Sequence, residues 1–588
     1  NIMDTKLKFK GENKMNKVLN KLYSEKIIKV LLILFPFIEL ITSISIIKFN
    51  ATITPGKVYK LLLLVYATVY LIFVDKKNRL MSYTIVATVA ATCIANVVFT
   101  IENLSINLIY SKILELSGFV AFPIYTAFFI AYVKNNNKLP MDALVTVVTI
   151  YGIVIFIADI TGTSFTSRSG YLEFGKKGWF YSANEVGQLL TMLYPIVLYK
   201  LVQNRSISRY ISFVLCSYCL LNIGTKAALF GMVGTLAFTI IFSTILALLK
   251  NKSLSKTILS IGSIALIISL SVLKFTPTFR YMEHEYGIKV GVNGEVPTDE
   301  IIFTGRQHKL EIQIEKFENS PVVNKLFGIK DSIKENGGDS KYLIVERDFH
   351  DALFNYGIVG VLFYCVIIIT IMFKFILYIF KNFKQNCKFS NFALGIAASL
   401  GIFAAYMSGH TLSSLTTSFF LSIILAKIYE RYNNIHIEKD QDKVMFICSV
   451  GGHLTQMLQI RDLFNKYGYV LVTEKTEVTS NLKTKYNIKY LVHGTRKYIY
   501  KYIVIELYNI LKSILYFFKY SPDVVVTTGT HTAVPMCFIA KFFGKKAIFI
   551  ESFAKRSTPT KSGKLVYKIA DTFVIQWDSL KEVYPKAE

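Results

Sequence analysis

Acidic residues are scarce in this chain. It holds 39 Asp and Glu against 67 Lys and Arg, a formal net charge of +28 over 588 residues. Charge of either sign is thin, at 18%, while 53% of residues are hydrophobic and the mean hydropathy is +0.43. That excludes an ordinary soluble globular protein. The basic excess does not point to nucleic acid, because many Lys and Arg stand in short clusters between long apolar runs. Such clusters are the pattern of inside loops in a multi-span membrane protein. No low-complexity run and no clear internal repeat accounts for the composition. Cysteine is sparse too: Cys93, Cys216, Cys219, Cys365, Cys387, Cys448 and Cys537. None falls in a segment placed outside the cell, so a disulfide framework is not expected. Cys216 and Cys219 form a C-x-x-C inside an apolar helix, where small packing residues are the simpler reading. Also missing is an aspartate pair of the D-x-D kind suited to a metal-bound nucleotide sugar. No metal and no cofactor is expected.

What is present is a succession of about twelve apolar runs, each long enough to cross a hydrocarbon core of roughly 30 Å. They fall near 27–47, 58–74, 81–99, 112–133, 142–160, 184–200, 208–223, 227–249, 257–273, 352–376, 391–408 and 412–429. The first is too long, and too well followed, to be a cleaved signal peptide. The Lys-rich start, residues 1–26, is expected inside, and the basic loops Lys76–Arg79, Lys134–Lys138, Lys200–Arg209, Lys250–Lys256 and Lys374–Lys388 then follow in register. An even span count leaves the C-terminus cytoplasmic. Two outer segments are long, Thr161–Ala183 and residues 274–351; a connection of that length is usually functional or disordered. The expected domains are a membrane part over 27–430, a linker over 431–442 and a cytoplasmic part over 443–588.

After Asp442 the apolar stretches shorten to strand length and alternate with helical patterns. Strands are expected near 444–450, 469–474, 488–493, 523–528, 546–551 and 571–577. Helices are expected near 454–467, 498–519, 531–543 and 561–570. That alternation implies a parallel sheet with crossover helices. The fold class is therefore a polytopic α-helical membrane bundle fused to a C-terminal α/β, Rossmann-like domain. Helix 498–519 is aromatic, basic and apolar, fit either to lie on a membrane surface or to pack as an ordinary helix.

Polar groups near the outer face of a helical bundle are costly unless they act. Four stand out: Arg168 with Lys176 and Lys177, leading to Ser182-Ala183-Asn184-Glu185; Gly224-Thr225-Lys226; Thr304-Gly305-Arg306-Gln307-His308; and Arg347-Asp348-Phe349-His350-Asp351, followed by Gly357-Ile358-Val359-Gly360. His410 sits in the last outer turn. Arginine holds phosphate oxygens through a planar fork, and a histidine can take a proton from a sugar hydroxyl. These parts suit glycan transfer from a lipid diphosphate to a hydroxyl. Arg347 and His350 can also be read as headgroup anchors of the tenth span.

The series SRSG…GWFYSANEVGQLL, NIGTKAALFG, TGRQHKLEIQIEKF and RDFHDALFNYGIVG resembles the O-antigen ligase and Wzy-type polymerase superfamily over residues 25–430. The resemblance implies metal-independent, inverting transfer of a polyprenyl-diphosphate-linked saccharide. Arg306 and Arg347 then contact the diphosphate, His350 is the base, and Arg168 is a looser correspondence; Asn184 and Lys226 join the binding residues. Many relatives carry Asn where this chain has Asp351.

Further on, the strand KVMFICSV ends at Gly451-Gly452, and His453 opens a helix. A glycine turn there lets backbone approach a ligand, while helix N–H groups face an anion. A second such turn is Thr527-Thr528-Gly529-Thr530-His531, and a third strand ends at Glu551-Ser552. Alone, His453 or His531 reads equally well as a helix cap. Together with TTGTHTAVPMCFIAKFFGKKAIFIESFAKRSTPT, SGKLVYKIADTFVIQW and YPKA, these segments resemble the Alg14 family and its PssD-type bacterial relatives over 443–588. That implies the acceptor-side, membrane-bound half of a two-domain (GT-B) glycosyltransferase. Gly451, Gly452, His453, Gly529, Thr530, His531 and Glu551 bind substrate. A separate Alg13- or PssE-like subunit supplies the UDP-sugar.

The expectation is a fused polysaccharide-assembly enzyme at the cell membrane. Its helical half joins repeat units outside, and its α/β half adds a sugar inside. Three alternatives stay open: a ligase-type transfer by the helical half, a transporter with a nucleotide-binding regulatory domain, and a C-terminal module that only docks.

Overall fold

The computed structural model describes residues 21–588 apart from 76–77, 101–105, 136, 169–172, 250–251, 294–305, 330–344, 382, 434–442, 495–498 and 521. Two compact units result, one helical and one α/β.

Ten helices among the described residues are long and apolar enough to cross a membrane: Glu25–Phe49, Pro55–Val74, Arg79–Thr100, Lys112–Lys134, Met141–Ile160, Ala183–Gln203, Lys226–Leu248, Ser253–Ser271, Asp348–Lys381 and Phe389–Met407. Two more, Ile207–Asn222 and Leu415–Tyr432, occupy the positions of the other two expected spans. The first is only 16 residues long, and the second carries Lys427, Glu430 and Arg431 near its end. Large aromatic side chains fill the interior; Phe35, for example, lies 5.5 Å from Phe419 and 5.2 Å from Phe420, centroid to centroid. Leu62, Ile94, Val366 and Ile369 point outward, each at least 60% exposed. Apolar outside as well as inside is what a lipid-facing bundle requires. Hydroxyl pairs such as Thr126–Ser422 at 2.9 Å tie helices together where backbone groups are already paired.

The long connections are structured. Thr166–Arg168 (β1) and Phe174–Lys176 (β2) form an antiparallel hairpin that the sequence reading left as a loop. Its Gly175, at φ +76°, packs on the turn at Ile223 and Gly224; a Cβ there would come within 2.6 Å of the Ile223 carbonyl oxygen. In the second connection lie the helices Pro277–Asn293, Arg306–Glu318 and Val322–Phe327. Gly357 breaks the Asp348–Lys381 helix with φ +68° and ψ −169°. A Cβ at that position would lie 2.3 Å from the Leu326 carbonyl, so only glycine lets the Val322–Phe327 helix settle there.

The α/β unit contains Lys443–Cys448 (β3), Gly468–Lys475 (β4), Ile488–Val492 (β5), Val524–Gly529 (β6), Lys546–Ile550 (β7) and Thr572–Val574 (β8). All pair in parallel, in the order β5-β4-β3-β6-β7-β8. Strand alternation feeds both faces. Met445, Ile447 and Val525 join Met536, Cys537 and Ala540 on one side; Val444, Phe446 and Cys448 join Leu454, Met457 and Phe464 on the other. The order turns back between β3's two neighbours, β4 and β6. In a parallel sheet, ligands collect outside the carboxyl ends of strands at such a reversal. Helix Ile499–Tyr520 packs on the sheet by one face and leaves an apolar face exposed. Asn509 clamps the N–H and C=O of Val492, at 2.9 Å each, while Tyr500, Val504, Leu507, Leu511 and Leu515 form an apolar stripe 58–67% exposed.

Candidate functional sites

In the helical unit part of the sequence-selected set, Arg347, Asp348 and His410, gathers around one loop, residues 409–413. Asp348 begins its helix at 2% exposure. One carboxylate oxygen accepts from the His410 N–H at 2.8 Å and the Ser413 hydroxyl at 2.6 Å; the other accepts from the N–H groups of Thr411 and Leu412, both at 2.7 Å. From the opposite side Gln188 donates to the Gly409 carbonyl at 2.7 Å and accepts from Thr411 Oγ1 at 3.1 Å. These contacts hold His410 at φ +61°, an uncommon conformation for a residue with a side chain. Asp351, whose role the sequence left in doubt, accepts from the N–H groups of Val345 at 2.8 Å and Arg347 at 3.0 Å. It shapes the approach to the helix.

Arg347 is 3% exposed and His350 stands one turn on. Burial lowers the Arg347 pKa from its usual high value; Tyr406 opposes the fall and Arg306 adds to it. Among the described residues, His350 Nδ1 is buried without a hydrogen-bond partner, and its ring lies 5.8 Å from that of Tyr406. Arg306 reaches the same end through Glu346, which accepts from its Nη2 at 2.6 Å and Nε at 3.1 Å. Burial works against the Glu346 charge, but the hydrogen bond and charge of Arg306 outweigh it and hold its carboxyl below the ordinary range.

The other cations singled out from the sequence are engaged elsewhere. The Arg168 guanidinium stacks 3.7 Å from the Tyr281 ring centroid. Lys176 pairs with Asp159, and Lys177, its pKa lowered by burial, donates to the Tyr181 carbonyl at 2.7 Å. Lys226 opens its helix behind the Thr225 cap. Asn184 is exposed; its neighbour Glu185 carries the structure instead, accepting from Ser414 at 2.6 Å and pairing at 3.4 Å with Lys60, which also meets Glu39 at 2.8 Å. A charged residue just inside an apolar run was the signal for Glu185 in the sequence.

In the α/β unit, three strand ends converge as the spacing implied. His453 Nδ1 lies 2.6 Å from the Thr528 carbonyl oxygen, and the Thr528 hydroxyl donates back to the His453 carbonyl at 2.8 Å. A hydrogen on Nδ1 leaves the lone pair on Nε2. Gly529, at φ +101°, runs beside that imidazole, where a Cβ would meet His453 Cε1 at 3.2 Å. At Gly451 and Gly452 a Cβ would meet nothing within 4 Å, so the turn is open to a ligand. Thr530 donates to Ser449 Oγ at 3.2 Å and neighbours His531 Nδ1 at 3.0 Å. Glu551 is fully buried, and its carboxylate is consumed by Ser552 N at 2.8 Å, Thr560 Oγ1 at 2.9 Å and Tyr584 Oη at 3.0 Å. Its main-chain carbonyl accepts from Gln456 and Gln576 at 3.2 and 2.7 Å, tying the first turn to the third strand. Sequence reasoning missed Glu474 and Glu506, which face His531, and His493, which pairs with Glu474. A charge closing the apolar strand VLVTEK was the available hint.

Comparison with known proteins follows the same division. The family described as "O-antigen ligase like membrane protein" matches residues 21–295 and 289–432. The family described as "Oligosaccharide biosynthesis protein Alg14 like" matches residues 444–588. UDP-N-acetylglucosamine transferase subunit ALG14 of Homo sapiens is 26% identical, over 24% of this chain and 79% of its own length. Its counterpart in Debaryomyces hansenii is 30% identical, over 25% and 73%. That of Schizosaccharomyces pombe is 39% identical over a shorter stretch, 11% and 34%. The chain thus belongs to the O-antigen ligase like membrane protein family and joins to it, in its last quarter, a member of the Alg14 family.

Proposed function

We propose that this protein assembles a capsule, exopolysaccharide or O-antigen-like polymer with two glycosyl-transfer sites. The helical half takes a polyprenyl-diphosphate-linked glycan and moves it to a sugar hydroxyl, acting as a repeat-unit polymerase outside the cell. Arg347 and Arg306 hold the diphosphate, and His350 takes the proton of the attacking hydroxyl while the anomeric carbon parts from the diphosphate. What supports this above all is the buried start of the Asp348–Lys381 helix, with Arg347, His350 and the Arg306–Glu346 pair at one end. A ligase-type transfer to another acceptor is favoured by the family's description.

The α/β half is the Rossmann-like, acceptor-side half of a GT-B enzyme in the cytoplasm. The open Gly451–Gly452 turn receives the lipid-linked acceptor, beside His453, Gly529, Thr530 and His531. Glu551 serves by fixing the third strand end rather than by touching substrate. An Alg13- or PssE-like subunit brings the UDP-sugar. The apolar stripe of the Ile499–Tyr520 helix faces lipid, which keeps the turn at the height of the lipid carrier.

A His350→Ala strain tests the outer site. Loss of long glycan chains with short units still made supports a polymerase. An undiminished ladder, with the final acceptor still carrying its glycan, overturns the role of His350. Loss of glycan from the final acceptor with intact ladders supports the ligase. Cysteine labelling that puts residues 350 and 453 on one side of the bilayer removes the two-sided scheme.

A further inference from the structure

Glu474, His493, Glu506 and His531 form a cluster that the acceptor turn does not itself use. Glu474 closes β4, His493 follows β5, His531 follows β6, and Glu506 lies on the Ile499–Tyr520 helix. The Glu474 side chain is 2% exposed. One of its oxygens is 2.5 Å from His493 Nδ1 and the other 4.0 Å from His531 Nε2. The same Nε2 is 3.2 Å from Glu506 Oε1. Glu474 Oε1, Glu506 Oε1 and His531 Nε2 are all buried, and none completes a hydrogen bond of good geometry among the described residues. Among the described residues the Tyr502 ring, 5.6 Å from that of His531, and the buried Cys448 thiol, which feels the Glu474 charge, are further titratable neighbours.

A scaffold ion pair closes upon itself, because a buried polar atom left without a partner is costly. This cluster instead opens at both ends. On one side His531 Nδ1 meets the Thr530 hydroxyl at 3.0 Å, and Thr530 meets Ser449 at 3.2 Å, beside the Gly451–Gly452 turn. On the other, the His493 side chain is 41% exposed.

We infer that Ser449, Thr530, His531, the Glu474 and Glu506 carboxylates and His493 form a proton relay from the acceptor turn to water. The inference rests on the acceptor-side function proposed above. In the transfer the acceptor oxygen bonds to the sugar's anomeric carbon. The bond from that carbon to the UDP oxygen breaks, and UDP leaves with the electron pair. The acceptor's proton passes through the two hydroxyls, which rotate to donate or accept, to His531 Nδ1. His531 releases its Nε2 proton to the carboxylates, and His493 delivers one to solvent. Protons pass through and none accumulates.

Histidine-labelled full chain in lipid nanodiscs provides the first test, with His531→Gln and His493→Gln assigning the two sets of ring signals. Glu474→Gln is expected to move the ring signals of both histidines, because one carboxylate faces both. Ring signals of either that stay in place overturn the relay. The second test uses vesicles holding the full chain and a donor-binding subunit, with tritiated UDP-N-acetylglucosamine and polyprenyl-diphosphate-N-acetylglucosamine as probes. His531→Gln is expected to lower kcat about 100-fold, with the KM for the lipid unchanged. A wild-type kcat in that variant overturns the relay. If the wild-type chain transfers nothing, the acceptor-side function fails, and the ring signals alone decide the relay.

Discussion

Replacing Asp348 with Asn removes one charge and turns one acceptor into a donor, and the geometry says what that does. If the amide nitrogen takes the place of the oxygen facing Thr411 and Leu412, two buried N–H groups confront a donor. If it takes the other place, Ser413 can rotate to accept from it and only the His410 N–H is stranded. The side chain adopts the second arrangement because it is cheaper. A stranded buried N–H costs about 1–3 kcal/mol, and the surviving bonds lose their charge assistance. The sum is about 2–4 kcal/mol, or roughly a 30- to 700-fold change in a local opening equilibrium. Hydrogen exchange of full-length protein in nanodiscs, followed by mass spectrometry of the peptide spanning 408–414, reads that change directly. Peptides from β3 and β6 serve as the internal reference and are expected to stay at wild-type protection. Wild-type protection at 408–414 in Asp348→Asn would refute the account of how this loop is held.

Three other outcomes are expected. Gly452→Ala keeps the melting temperature of the wild type, since the added methyl meets nothing, yet lowers inner-site transfer at least about tenfold; unchanged transfer would remove the turn from the site. The Arg306–Glu346 pair responds to acid. Its carboxyl pKa is depressed in the folded state, so its contribution is complete above the unfolded value of about 4.3 and is lost as pH falls through the folded value. Glu346→Gln therefore costs up to about 1 kcal/mol at pH 7 and nothing at the acid limit, and equal thermal shifts at both pH values would contradict the pairing. Gly357→Ala combines a φ of +68° with a 2.3 Å approach to the Leu326 carbonyl. The φ strain alone costs about 1–3 kcal/mol, so a sharp loss of monodisperse protein in size-exclusion chromatography is expected, and wild-type yield would refute the close packing.

Local pattern carried the legible part. The apolar runs marked the helices because lipid asks for nothing subtler, and short strands alternating with helices marked a parallel sheet. Arg347 and His350 share a site because they share a helix turn. Gly451 and Gly529 end strands and bend as a ligand turn requires. Contacts between residues distant in the chain were not legible. Asp348 reaches residues 62 to 65 positions away, and Gln188 reaches Gly409 at 221. A charge inside an apolar run marks Glu185 in the sequence, but its partners Ser414 and Lys60 do not show there. The hairpin at 166–176 escaped because its strands are three residues each, too short for alternation to register. His531 drew notice for its glycine turn, while the carboxylates that give it a task lie on other elements.

Both units use carboxylates and imidazoles in the same contrasting way. Asp348, Asp351 and Glu551 each have their oxygens spent on backbone N–H or hydroxyl donors from neighbouring segments. A carboxylate so occupied holds geometry, because each donor it binds fixes the segment that carries it. The imidazoles are arranged otherwise. His350 keeps a buried nitrogen without a partner among the described residues, and the Nδ1 contact of His453 with the Thr528 carbonyl leaves its second nitrogen for other work. In the scheme proposed above the base of each unit is a histidine, His350 in the helical unit and His531, which hands its proton on to Glu474 and Glu506, in the α/β unit. Removing Asp348 or Glu551 is then a test of architecture, whereas removing His350 or His531 is a test of chemistry.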